Sequence, residues 1–186
     1  SELEEIETVG GEQSYTMSSD GSRVWDAAGN DIYYRGDIKK ELPVDLSLTY
    51  MLDGKTVSAD EIAGKSGHVT IRFDYKNNQY SNVTIDGKEE KIYVPFAMLT
   101  GLILDGDSFS NVEINAGKVI SDGSRYVAVG LAFPGLSDDL AIDSDEVDIP
   151  DYVEISADTE SFSMSNTVTV ATNSVFSSVD PDALDD

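Results

Sequence analysis

Val44, Leu46, Leu48, Tyr50 and Leu52 alternate with Asp45, Ser47, Thr49 and Met51, and the run ends at Asp53–Gly54. A period of two sends successive side chains to opposite faces of an extended strand, so the run is read as a half-buried strand. Asp-Gly directly after it is a residue pair that a two-residue hairpin turn demands. The alternation returns at Val69, Ile71, Phe73 and Tyr75, which are set against Thr70, Arg72 and Asp74 and end at Asn77–Asn78. A hairpin is expected over 83–94 around Asp86–Gly87. Shorter β-prone runs follow at 112–115, 119–121, 125–133, 152–157 and 167–172.

One helical signal interrupts this pattern. In "SADEIAG", Ser58 is placed to cap, Glu61 three residues on completes a capping box, and Gly64 stops the turn. A single helical turn does not change the fold class. Many short strands with closely spaced turns predict an all-β, antiparallel β-sandwich, immunoglobulin-like in general shape. Three segments are expected: an acidic lead-in over 1–21, disordered or added as an edge strand; the sandwich over 22–176; and an acidic tail or linker over 177–186. The apolar run Tyr93–Leu104 is expected in the core, and would be the contact surface if it formed an exposed edge instead.

Charge narrows the partners. The 186 residues carry 36 Asp and Glu against 12 Lys and Arg, a net charge of -24. Such a surface repels phosphate backbones and anionic lipid heads, which argues against nucleic acid and against membrane contact by these residues. The absence of cysteine removes disulfides, thiol catalysis and cysteine-bearing zinc sites. The run Tyr93–Leu104 is broken by Pro95, Thr100 and Gly101 and falls short of the ~20 residues of a spanning helix. The sequence begins at Ser1 rather than Met and is read as part of a longer protein.

The stretches "GNDIYYRGDIKKELPVDLSLTYMLDGKTVSADEIAGKSGHVTIRFDYKNN", "YVPFAMLTGLIL", "FSNVEINAGKVISDGSRYVAVGLAFPGL" and "IPDYVEISADTESFSMSNTVTVATN" resemble the extracellular β-rich segment of large Gram-positive membrane proteins similar to the YhgE/Pip (phage infection protein) group. The resemblance implies an N-terminal anchor before this segment, and Leu-x-x-Gly repeats and membrane helices after it. It implies no catalytic residues, because its motifs are turn glycines and core alternation.

Three candidate chemistries stand beside that reading. Arg35-Gly36-Asp37 is the tripeptide many integrins bind at a flexible loop tip, which would make the chain a host-directed adhesin. Here it follows the strand-like "DIYY", with Tyr33 and Tyr34 expected to pack, so a strand end before Pro43 also accounts for it. Calcium needs several oxygens held together. Asp105, Asp107 and Asn111 offer one weak set, interrupted by Phe109, and Asp143, Asp145 and Asp148 offer another, interrupted by Val147. Neither is a recognised calcium loop, and solvated acidic turns are the better account of both. His68 is the single histidine, and Ser66, two residues away on the same strand entrance, is no catalytic partner for it. The function expected is therefore a non-enzymatic interaction or structural domain on the extracellular face of a membrane-anchored envelope protein. Its partner would be another protein or the remainder of its parent.

Overall fold

A computed structural model describes residues 3–11, 14–85, 87–140, 149–164 and 167–175. The chain divides into two compact units, Ser1–Leu42 and Pro43–Asp186.

The first unit holds four strands: β1 (Leu3–Gly10), β2 (Tyr15–Met17), β3 (Arg23–Trp25) and β4 (Tyr33–Ile38). β1 pairs antiparallel with β4, and β2 with β3. The expected boundary at residue 21 therefore differs from the observed division after Leu42, because cross-strand pairing ties 3–10 to 33–38. No described residue of this unit is buried. Its apolar contacts are a ladder of rings, in which Trp25 lies 5.5 Å from Tyr15 and stacks on Tyr34 at 5.3 Å. Tyr33 and Tyr34, expected to pack, are both exposed, Tyr34 despite its stacking on Trp25. Two-stranded ribbons have too little second layer to cover such side chains.

Among its described residues the second unit is all-β apart from two short helices, and is an antiparallel sandwich of the expected general shape. Five strands, β5 (Val44–Leu52), β6 (Lys55–Val57), β7 (Gly67–Asn77), β11 (Phe109–Ile114) and β14 (Tyr152–Thr159), form one sheet in the order β11-β14-β7-β5-β6. Four more, β10 (Ala97–Asp105), β12 (Gly117–Ser121), β13 (Arg125–Ala132) and β15 (Thr167–Thr172), form the other in the order β12-β13-β10-β15. A separate hairpin pairs β8 (Tyr80–Ile85) with β9 (Lys88–Tyr93). β5 and β15 occupy the residues expected from the alternation. Asp53 and Gly54 both take positive φ, 49° and 75°, as a two-residue turn whose twist matches its flanking strands requires.

Between the sheets, Val69, Ile71, Phe73 and Tyr75 of β7 and Val153, Ile155 and Ala157 of β14 meet Met98, Leu102 and Leu104 of β10 and Ala128 and Ala132 of β13. The helix α1 (Ala59–Ile62) exists to seat Ile62, which is fully buried. Ser58 caps it as expected: its N–H donates to Glu61 at 2.8 Å and its Oγ accepts from the Glu61 N–H at 3.3 Å. One polar chain crosses the core. The Tyr75 hydroxyl bonds to Thr100 Oγ1, which lies 2.8 Å from Thr169 Oγ1, so β7, β10 and β15 are linked through the interior. A second helix, α2 (Leu136–Leu140), carries Asp139, whose carboxylate accepts the Tyr93 N–H at 3.0 Å. No helix among the described residues is long and apolar enough to cross a membrane.

Candidate interaction face

β13 reverses the usual assignment of large residues to the core. Ala128, Gly130 and Ala132 point inward, while Val127, Val129 and Leu131 occupy the outward positions. The cause lies across the core, because a Cβ built on Gly130 would stand 2.4 Å from Val153 Cγ1. The layers approach too closely here for anything larger, and the bulk goes outside.

β10 and β15 continue the pattern. The run 93–104, expected in the core, splits by pleat: Phe96, Met98, Leu102 and Leu104 are buried, whereas Leu99 and Ile103 face outward from an interior strand rather than an edge. The registers set these residues in rows. Leu99 stands between Val170 and Leu131, Gly101 between Val168 and Val129, and Val127 between Ile103 and Ile120. Leu99, Ile103, Ile120, Leu131, Val168 and Val170 are between 38% and 60% exposed. Side chains of this size leave on the order of 500 Å² of apolar surface uncovered, the size of the largest patch on a typical monomer, which is often functional. Charge enters only at the margins, with Lys118 beside Val129 and the Asp105–Arg125 pair at one end.

Gly101 lies in the middle of this face. Its φ is outside the left-handed region, and an added Cβ would meet only the Val168 carbonyl oxygen, at 4.0 Å. Neither backbone conformation nor internal packing requires glycine there. Strand glycines mark bulges, tight bends or close approach of a ligand or another backbone, and β10 pairs on both sides without a register shift.

The outer face of the five-stranded sheet is its opposite. Arg72 donates to Asp74 at 2.7 Å, lies 3.8 Å from Glu154 opposite, and stacks 3.6 Å over the Tyr152 ring. These partners hold its guanidinium above its ordinary pKa, the Asp74 hydrogen bond contributing most. His68 Nδ1 lies 2.8 Å from Asp158, its cross-strand neighbour, and Asn111 Nδ2 donates to the other Asp158 oxygen at 2.8 Å. Those two bonds, Asn111's first, lower the Asp158 pKa. Polar groups on this face therefore satisfy one another.

The sites expected from sequence fall elsewhere. Arg35, Gly36 and Asp37 lie inside β4, in register with β1, not at a loop tip. Glu7 accepts from Arg35 Nε at 3.0 Å and Nη2 at 2.7 Å, and a Cβ on Gly36 would press within 3.0 Å of the Glu4 carbonyl oxygen. The geometry gives integrin recognition no support. Asp105 accepts from the Asp107 N–H and the Ser108 hydroxyl of its own turn, both at 3.2 Å. Asn111 has φ 51° and is turned to Asp158, so Asp105, Asp107 and Asn111 do not converge on a calcium position. Asp143, Asp145 and Asp148 lie outside the described residues, among which no group of three or more His, Asp or Glu could hold a metal ion. Sequence reasoning missed the outward rows of β10, β13 and β15; the signal available was Val127, Val129 and Leu131 alternating with Ala128, Gly130 and Ala132. Compared with protein families, curated proteins and solved structures, the chain matches none.

Proposed function

We propose that the chain is a non-enzymatic interaction or structural domain, exposed on the extracellular face of a membrane-anchored bacterial envelope protein. The outer face of the four-stranded sheet is its contact surface for a protein partner or for another part of its parent. The observation that carries this reading is the contrast between the two outer faces of one sandwich: ion-paired on the five-stranded side, apolar around an unneeded glycine on the other. The resemblance of the strand and turn sequences to Gram-positive ectodomains supports the location.

Two measurements test it. An epitope placed at the β8–β9 turn of the parent protein is expected to bind antibody on intact cells; an epitope reached only after lysis overturns the location. L99K/I120K, both at exposed positions, is expected to keep the fold by circular dichroism and to abolish contact with the partner or parent segment in crosslinking on whole cells. Crosslinks unchanged by that double substitution overturn the assignment of the face.

A further inference from the structure

We propose that two copies of this chain pair edge to edge through β15, antiparallel about a two-fold axis, joining their four-stranded sheets into one of eight. The proposal goes beyond the reading above and stands on different observations, an edge rather than a face. An unpaired strand edge presents a row of free N–H and C=O groups, and proteins that stay monomeric blunt such edges with charge, proline, bulges or brevity. Three of the four sandwich edges are blunted in these ways. β6 has 3 residues and carries Lys55. β11 has a register shift between Ser110 and Glu113, with Asn111 at φ 51°. β12 has 5 residues, with Lys118 exposed.

Among the described residues, β15 lacks these protections apart from its modest length of 6 residues. Its sequence, TVTVAT, has no charge and no proline, and its pairing with β10 runs from Leu102↔Thr167 to Ala97↔Thr172 without a shift. It is also anchored from inside, since Thr169 bonds to Thr100. The sequence from Ser161 to Val179 contains no Asp, Glu, Lys or Arg, in a chain of net charge -24. β15 lies within that uncharged stretch, so two such chains can approach there without opposing carboxylates.

The faces restrict the two-fold to one centred on a residue, and setting both valines against valine selects Thr169. Val168 and Val170 point outward while Thr167 and Thr169 point inward, and residues directly opposite in an antiparallel pair share a face. Two-fold pairing centred on Thr169 sets Val168 against Val170 of the second copy, twice, and continues the apolar rows across the seam. This self-complementarity is why the partner is a second copy rather than an unrelated strand.

Sedimentation equilibrium of the 186-residue chain is expected to show a dimer whose dissociation constant falls as salt screens the carboxylates. V168K/V170K and V168E/V170E, each folded by circular dichroism, are expected to dimerise about tenfold more weakly or not at all, and their mixture to form a heterodimer. Because the chain has no cysteine, V168C and V170C report the register: an equimolar mixture should form the mixed disulfide well beyond the twofold excess over either homodisulfide that random pairing gives. A monomer at every concentration and salt, a dimer indifferent to V168K/V170K, or dominant homodisulfides would each overturn the proposal. A monomer that captures a synthetic strand peptide at β15 also overturns it, in favour of a foreign strand. A monomer whose epitope is still reached on intact cells sinks this proposal alone and leaves the location standing.

Discussion

Gly101 and Gly130 sit on neighbouring strands of one sheet and point to opposite sides of it. At Gly101 a Cβ meets only ordinary contact, so Gly101→Ala is expected to stabilise the chain by about 0.4–1 kcal/mol, through loss of unfolded-state freedom. At Gly130 a Cβ would be forced within 2.4 Å of Val153 Cγ1, and Gly130→Ala is expected to cost roughly 1–3 kcal/mol. Urea denaturation of both variants should give midpoint shifts of opposite sign. Thr100, fully buried, bonds both Tyr75 and Thr169. Thr100→Val keeps the shape but leaves the Tyr75 and Thr169 hydroxyls with each other alone, at a cost of about 1 kcal/mol. Burial raises the Tyr75 pKa above that of a free phenol. As pH climbs past about 10 the unfolded phenol loses its proton first, so stability present below that pH declines through the alkaline range. Thr100→Val should change that alkaline limb of the stability profile.

Strand and hairpin boundaries were legible where period and turn chemistry agreed, as for β5 with its Asp53–Gly54 turn, and the capping box of α1 could be read from Ser58 and Glu61 alone. What each strand buries was less legible. Alternation states that β13 has two faces but not which faces the core; that was decided by the nearness of Val153, remote in sequence. The same remoteness hid the Asp158 cluster, whose partners His68 and Asn111 come from other strands. The turn between β12 and β13 is local, and there Asp122 gathers the Ser124 hydroxyl at 2.8 Å and Arg125 Nε at 3.0 Å. The Ser124 hydroxyl contributes most to holding the Asp122 pKa near 2. For both carboxylates the unfolded chain binds protons first as pH falls below about 4, so the stability they give is present above that pH and lost in acid. Asp122→Asn and Asp158→Asn should each flatten the acid limb of a stability profile measured by chemical denaturation, with little change near neutrality beyond the lost bonds.

For the molecule as a whole, a net charge of -24 means that folding crowds carboxylates which the unfolded chain holds apart. Added sodium chloride is therefore expected to raise the melting temperature, with most of the gain at low ionic strength, where the screening length shortens fastest. Composition made this repulsion plain, but not how the second unit divides its outer faces: the Arg72 and Asp158 clusters lie on the five-stranded side, and the apolar rows on the other. Taken by itself, the second unit is a Janus particle, greasy on one outer face and ionic on the other. At an air–water boundary the 43–186 unit is expected to turn the β10–β15 face toward the less polar phase, and its film should show oriented sheet signals in surface infrared spectroscopy.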